Sequence, residues 1–560
     1  MSDLKQGIWS NWSGFQKAKP QQILQPENIQ ELQSIVHEQQ KIRVVGAGHS
    51  FTPLVCTDAT LVSLDRISGV ASFDLERCQS NIYAGTRLYD LDQHLQQQSI
   101  NQALMNQGDI DQQSLAGAVS TGTHGTGAEL HCISAYVEAF DLLTASGEIL
   151  KCSRTEHPEI FAAGRVSLGS LGILTKITMQ NRPRYKLKEH IQLCPVEDMM
   201  QHIQQRKHQH RHIECFVFSY EKQLMLKTLD ETDDEILPRK ENFPSDDTLL
   251  TLCSELTKNF PSLNPYLQKL LGIFVKPTTY VDWSSKIFPT PRNTKFNEME
   301  YQIPVDRGIE CLDEVLHALR KYKVATFFPL EFRFVKGDDI WLSPFYQQDS
   351  ISISVHQYHK QDPKLIFDVV EPILQKYRGR PHWGKMHHMT STQLRALYPK
   401  WDDFMALRQQ LDPKAMFLNP YLEKLLASKS KDSTNVWNSI LEHGGSVQHL
   451  DFLSPEEKAV YKTSFEIDQR WLLEFAADRT PYIDQAQSLN LYIPADVDKW
   501  DLMMLHFQAW EKGIKSLYYL RSKSVQRAGF AGGVEADNTA DAPVLELAAA
   551  TDYEECLACQ

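Results

Sequence analysis

The 560-residue chain is poor in cysteine, with ten scattered residues and a Cys-x-x-Cys spacing only at Cys556 and Cys559. That excludes a disulfide framework and points to a reducing compartment. No apolar run is long enough to span a bilayer. The opening residues, Met1 to Phe15, lack a basic stretch followed by an apolar core and a small-residue cleavage site, so the expected location is the cytoplasm. Basic charge is in deficit: 58 Lys and Arg against 71 Asp and Glu leave a net charge of -13. Nucleic acid and anionic membranes reward clustered Lys and Arg, so a small-molecule partner is expected instead. The run Arg206-Lys-His-Gln-His-Arg-His212 lacks Cys or acidic ligands at zinc spacing; it reads as a solvated helix end, and no metal is expected. There is no internal repeat or low-complexity tract, though the Gly- and Ala-rich stretch Ala528 to Ala550 reads as flexible.

What is present describes a globular protein, 42% hydrophobic and 23% charged, and long enough for two or more domains. Ile29, Leu32, Ile35 and Val36 share one helical face after Pro26-Glu27, and the β-like run Ile42-Arg-Val-Val45 follows. Further β-like runs at Thr60–Leu64 and Ser80–Tyr83 make the fold class α+β. Strands and helices alternate between about 185 and 425, closing on Asp412-Pro-Lys-Ala-Met-Phe-Leu-Asn-Pro-Tyr-Leu422. A polar break, Ala427 to Thr434, reads as a linker. The expected division is 11–183, 184–426, a linker at 427–434, and a segment at 435–560 of different character.

Three glycine-rich passages carry the chemistry. In Val44-Val45-Gly46-Ala47-Gly48-His49-Ser50, two glycines straddle an alanine after a strand, so backbone N–H groups can turn towards a pyrophosphate with no Cβ in the way. His49 follows directly. The second passage runs from Gly108-Asp109 through Ser114, Gly117 and Thr121 to His124-Gly125-Thr-Gly127, where Gly and hydroxyl donors suit a ribityl phosphate and a flavin ring. The third is Ser167-Leu-Gly-Ser-Leu-Gly-Ile173. Separately, Pro329-Leu-Glu-Phe-Arg-Phe334 puts Glu331 and Arg333 on one face of a strand. Such a pair suits a polyol, with Arg333 able to stabilise an anionic reduced flavin, and it equally suits an ion pair on a solvated strand.

From Asn11-Trp-Ser to about Leu425 the sequence resembles the aldonolactone oxidases and alditol oxidases of the vanillyl-alcohol-oxidase flavoprotein group. The carriers are Val44 to Phe51, Ala116-Gly-Ala-Val-Ser-Thr-Gly-Thr-His-Gly-Thr-Gly127 and Pro381-His-Trp-Gly-Lys385. The resemblance implies a two-subdomain FAD-binding domain followed by a substrate domain, with FAD bonded covalently to His49 and Ile173 in the adenine-side loop. It also implies that Glu331, Arg333 and Lys385 line the substrate pocket, that Lys385 polarises or deprotonates the reacting hydroxyl, and that His382 touches the flavin. His356 falls near a pocket histidine of those enzymes. Gly108 aligns with the residue that gates oxygen, and a glycine there implies O₂ as acceptor and hydrogen peroxide as product. Asp109 stands where alditol oxidases have serine, which moves the expected substrate from an alditol to an aldono-1,4-lactone.

From about Ser433 the sequence resembles the C-terminal end of the class I ribonucleotide reductase large subunit. Gly445-Ser-Val-Gln-His-Leu-Asp-Phe-Leu453, Arg479-Thr-Pro-Tyr-Ile-Asp-Gln-Ala-Gln-Ser488, Ser516-Leu-Tyr-Tyr-Leu-Arg-Ser-Lys-Ser524 and Glu555-Cys-Leu-Ala-Cys-Gln560 carry this. The resemblance implies radical transfer for Tyr518 and Tyr519, disulfide exchange for Cys556 and Cys559, and the reductase small subunit or a thioredoxin-like protein as partner. The reductase's active-site cysteines lie upstream in that family. The segment is therefore expected to be incomplete, with strands such as Leu489 to Ile493 lacking their barrel neighbours. Three functions are open: a lactone or polyol oxidase, a reductase fragment, and a non-catalytic binding module.

Overall fold

The computed structural model describes residues 7–96, 101–239, 246–274, 277–290, 292–426, 434–450, 453, 455–494 and 496–522. The chain divides into two compact units, Met1–Ser430 and Lys431–Gln560. The expected α+β class is the one observed.

In the first unit the amphipathic segment forms the helix Ile29–Glu38, which buries Leu32 and Val36. Asn28 caps it, its side chain accepting from the Glu31 amide. The helix feeds the strand Ile42–Val45, which pairs in parallel with Thr60–Ser63, itself parallel to Gln22–Leu24. The first glycine passage thus leaves the carboxyl end of a parallel strand. An antiparallel sheet follows, ordered Ile149–Ser153, Val137–Leu143, Ile173–Pro183, Gln79–Tyr83 and Val70–Asp74, with Gln102–Leu104 pairing the far end of Ile173–Pro183.

The later part of this unit is built on an eight-stranded antiparallel sheet. Its order is Thr278–Trp283, Lys186–Pro195, Gln223–Glu231, His212–Val217, Leu330–Val335, Ser350–Tyr358, Phe296–Pro304 and Arg380–Pro381. One face is apolar: Met299, Tyr301, Ile303, Phe332, Phe334, Ile351, Ile353 and Val355 belong to the main core with residues of the helices Gly308–Lys321 and Lys364–Lys376. The opposite face carries Glu298, Glu300, Gln302, Glu331, Arg333, Ser352, Ser354 and His356, and all of these are buried as well. Side chains alternate across a strand, so a sheet covered on both faces must hold this polar set inside the protein.

The second unit has the helices Thr434–Glu442, Pro455–Val460, Gln469–Arg479 and Lys499–Glu511, and a parallel pair, Asn490–Ile493 with Tyr519–Ser522. Leu473, Ala476, Leu489, Leu491 and Ala509 make its small core. The helix Lys499–Glu511 leaves Trp500, Met503, Phe507 and Trp510 exposed at helical spacing. Cys556 and Cys559 lie outside the described residues, as does most of the expected linker.

Arg43 ties the first unit together. It is 4% exposed, and its guanidinium donates to the carbonyls of Leu54, Leu168 and Gly169, each at 2.9 Å, and to that of Phe417. The strand before the first glycine passage is thereby bonded to the third passage and to the end of the unit. Arg43→Met strands four buried carbonyls at roughly 1–3 kcal/mol each, less what relaxation recovers. The expected outcome is a loss of about 3 kcal/mol or more in unfolding free energy of the first unit, read by denaturant titration of a chain ending at Ser430. An unchanged midpoint would contradict this role.

Candidate active site

The three glycine passages line one cleft. Val45, Gly46, Ala47, Gly48, His49 and Ser50 come from the end of the first strand, Ser114, Gly117 and Thr121 from the helix Leu115–Ser120 and its caps, and Gly169, Gly172 and Ile173 from the third passage. His382, Gly384 and Lys385 complete it. Gly48 has φ +71°, and a Cβ on Gly46 would overlap the Ser114 hydroxyl, so a side chain at either position would strain or fill the cradle. Gln113 Oε1 is buried on the cleft wall without a partner. This lining of small residues and backbone fits an extended dinucleotide.

His49 stacks on Trp12, ring centroids 5.5 Å apart at 23°, and the Trp12 amide donates to the Gly48 carbonyl at 2.8 Å. Burial, with Lys385 and Arg87 nearby, pushes the His49 imidazole down to about 4, so at neutral pH it is uncharged and has a free lone pair. Burial likewise pushes His382 down to about 3, and its Nδ1 accepts from the Gly384 amide at 3.0 Å.

Next to the cleft lies the polar sheet face. Arg333 is its hub: Nη2 is 3.2 Å from Glu300, and Nε is 3.2 Å from Glu331 and 4.0 Å from Glu214. Glu300 also takes His124 Nε2 at 2.5 Å, Gln302 Nε2 at 2.7 Å and the Ser352 hydroxyl at 2.8 Å. Glu298 holds Lys385 at 2.5 Å and faces His356 Nε2 at 3.6 Å. Burial raises these carboxyls, but the cations beside them override it. Arg333 holds Glu331 at about 2, Lys385 holds Glu298 at about 2, and His124 and Arg333 keep Glu300 well below the usual range. Glu214 goes the other way: burial, with Asp109 close by, pushes it well up. The carboxyl oxygens of Asp109, Glu214 and Glu331 come within 4.8 Å of one another, and Lys227, 3.2 Å from Glu214 and 3.7 Å from Asp109, meets part of their charge. Glu214 Oε1, Glu331 Oε1, Arg333 Nε and Ser354 Oγ are buried without a hydrogen bond.

The structure therefore joins Glu331, Arg333, His356 and Lys385 in one network, and Glu331 and Arg333, each 7% exposed, are not a solvated strand pair. Gly108, Asp109, His124 and Gly125 do not line the cleft. They form the passage between it and the charged face: a Cβ on Gly108 would lie 3.1 Å from the His124 carbonyl, Asp109 pairs with Lys227 and Arg292, and His124 pairs with Glu300. Within the basic run after 206, His208 and His210 pair with Glu129 and Asp230, but His212 is fully buried and donates to the Thr126 carbonyl at 2.7 Å, which corrects the solvated reading at that end. Tyr518 and Tyr519, in the second unit, have rings 4.4 Å apart and are both exposed. Sequence reasoning missed Glu298, Glu300, Glu214 and Lys227. The alternation Glu298-Met-Glu-Tyr-Gln302 was the available signal, but it fits a solvated strand equally well.

A family model described as "FAD binding domain" matches residues 20–153, and one described as "D-arabinono-1,4-lactone oxidase" matches 177–425. One described as "Ribonucleotide reductase, barrel domain" matches 395–520. The L-gulono-1,4-lactone dehydrogenase of Mycobacterium tuberculosis is 36% identical over 430 residues, covering 75% of this chain and 99% of that protein. The ribonucleoside-diphosphate reductase large subunit of Invertebrate iridescent virus 6 is 47% identical over 114 residues, covering 20% of this chain and 12% of that protein. The crystal structure of cholesterol oxidase from B. sterolicum shares the fold with a TM-score of 0.65 at 16% identity, over 75% of this chain and 96% of that one.

The cradle has a direct check. Gly46→Val places a branched side chain where the Ser114 hydroxyl lies, so the variant is expected to purify with little or no flavin while keeping its circular dichroism. Full flavin occupancy would refute the placement.

Proposed function

The chain belongs, over 75% of its length, to the family of the L-gulono-1,4-lactone dehydrogenases and D-arabinono-1,4-lactone oxidases, and from that membership we propose that it oxidises a sugar 1,4-lactone using FAD bonded to His49. The observation behind this reading is the buried charged face. Arg333, ion-paired to Glu331 at 3.2 Å, lies with Glu214 and the unbonded Ser354 hydroxyl beside the cleft residue Lys385 and its partner Glu298, and a substrate rich in hydroxyl and carbonyl oxygens suits such a set of charges and donors. The uncharged His49 is a nitrogen nucleophile at the cleft wall, which suits a bond to the flavin's 8α-methyl carbon.

FAD, when bound, supplies the acceptor for the substrate's hydride. Arg333 and Lys385 present cations to the reacting oxygen and to the developing negative charge. The hydroxyl proton goes to His356. Its Nδ1 donates to the Pro329 carbonyl at 3.3 Å, and its Nε2 lies 3.6 Å from Glu298 and 3.9 Å from Glu331. Those two carboxylates stabilise the imidazolium as it forms. Asp109, tied to Arg292 and Lys227, favours a lactone over an alditol. O₂ as acceptor and hydrogen peroxide as product rest on the likeness of Gly108 to the family's oxygen-gating position, and the cytoplasm is the expected location. The second unit has no part in this reaction. Its likeness to the reductase supports, as an alternative, a binding role towards the reductase small subunit or a thioredoxin-like protein.

One set of measurements tests this. Acid-denatured protein should keep its yellow flavin attached, and His49→Ala should release it. Gulono-, galactono- or arabinono-1,4-lactone should bleach the flavin without air, and admitting air should yield peroxide. Bleaching by xylitol or sorbitol alone would sink the lactone reading. Bleaching by lactone that only a dye, not O₂, reverses would make the protein a dehydrogenase. Arg333→Ala should lower kcat/KM by about 10²–10³-fold with FAD in place. A chain ending at Ser430 should turn over at the full rate.

A further inference from the structure

Glu298 belongs to none of the sequence motifs, yet its carboxylate is the one that meets the cleft's cation. It lies on the strand Phe296–Pro304 with its side chain 3% exposed. Lys385 reaches it from the turn after Arg380–Pro381, 2.5 Å from Oε2, while Oε1 faces His356. Backbone bonds fix the same juxtaposition: the Met386 amide donates to the Glu298 carbonyl at 2.8 Å and the His382 amide to the Glu300 carbonyl at 2.9 Å. The other groups facing Lys385 are the Phe51 ring, 5.1 Å from the ammonium, and the uncharged imidazoles of His49 and His382. Among the described residues, Glu298 is thus the carboxylate within ion-pair reach of Lys385.

A lysine side chain is long and flexible, and this one is 17% exposed, so without an anchor it can turn towards water. We propose that Glu298 is a positioning residue that clamps the Lys385 ammonium at the flavin cleft and so makes Lys385 a fixed cation that polarises the reacting oxygen, not the base that removes its proton. An ammonium held against a buried carboxylate has its charge and a proton engaged there. The base must then be another group, and His356, whose Nε2 faces the other oxygen of Glu298 at 3.6 Å, is placed for it. Glu300 is less suited to such a test, because its four partners bind it into the wall of the unit as well as to Arg333.

The inference rests on the flavin reading above, and its test separates the two. A double-mutant cycle of Glu298→Gln, Lys385→Met and both together is made in the full-length flavin-loaded protein. It is read by kcat and KM with a 1,4-lactone and, without substrate, by the dissociation constant of sulfite, whose adduct with the flavin is an anion that nearby cations favour. Removing a negative charge by itself tightens sulfite binding. Removing a clamp weakens it, because the ammonium is lost from the cleft. The expected result is sulfite binding weaker by roughly tenfold in Glu298→Gln, the equivalent of one charge-assisted hydrogen bond. A fall in kcat greater than any rise in KM should accompany it, with no further loss on adding Lys385→Met and partial recovery in Glu298→Asp. Tighter or unchanged sulfite binding, or effects that add across the cycle, overturns the inference. If the parent protein oxidises no lactone, the proposed function fails while the sulfite cycle still decides the role of Glu298. If Glu298→Gln does not fold, Glu298→Asp, which keeps the charge and shortens its reach, serves in its place: weaker sulfite binding supports the clamp and unchanged binding overturns it.

Discussion

The guanidinium of Arg333 and the carboxylates of Glu300 and Glu331 stand next to one another on a buried sheet face. A charge taken out of water must be met by an opposite charge and by hydrogen bonds, and breaking such a pair costs about 3–5 kcal/mol. The organisation of the first unit follows from this requirement. Helices cannot cover this face, because they already cover the apolar one. The cofactor half closes it instead: His124 bonds Glu300, the Thr126 hydroxyl donates to the Ile213 carbonyl, and the Gly127 amide donates to the Phe334 carbonyl at 2.8 Å. The joint between the two halves is therefore also where the charges are, and they are fixed before any substrate arrives. Pre-set charges of this kind need no reorganisation during a reaction.

The two halves contribute different chemistry. The cofactor half offers backbone, hydroxyls and an imidazole that burial keeps uncharged, that of His49. The sheet half offers ions. An aromatic wall runs between them: Trp12 stacks on His49, stands edge-on to Phe296 at 5.2 Å, and Phe296 stands edge-on to His356 at 4.9 Å. The proposed flavin anchor and the proposed proton acceptor are thus set in one apolar layer, and Lys385 is the cation that crosses it.

What the sequence revealed follows the range of each constraint. The cradle of Gly46 and Gly48 is a local matter of φ and a missing Cβ, so adjacent residues announce it. The shared face of Glu331 and Arg333 is also local. Their burial is not, because alternating polar and apolar residues look the same whether the polar face meets water or a second half of the protein. Glu298 and Glu300 were missed for that reason. Arg43 is the same case in miniature: in Ile42-Arg-Val-Val45 it passes for the solvated position of a strand, yet it is buried among carbonyls from residues 54, 168, 169 and 417. Those partners are up to 374 residues away, and no local pattern encodes such a distance.

The second unit shows the opposite physics. Its core is a handful of side chains, while Trp500, Met503, Phe507 and Trp510 point outward along one helix and the pair Asn490–Ile493 with Tyr519–Ser522 makes its own two-stranded sheet. A self-sufficient domain does not leave such a stripe uncovered. The reductase relative is matched over 12% of its length, so the elements that would cover this stripe in a complete barrel have no counterpart in the match. Residues 395–425 fall under both the reductase and the lactone oxidase matches, and packing decides between them. Trp401, Phe404, Phe417 and Leu422 are buried in the core of the first unit. Every residue given a role in lactone oxidation precedes that stretch. The residues proposed for lactone oxidation therefore all lie in the first unit, Met1–Ser430, and none in the unit that resembles the reductase.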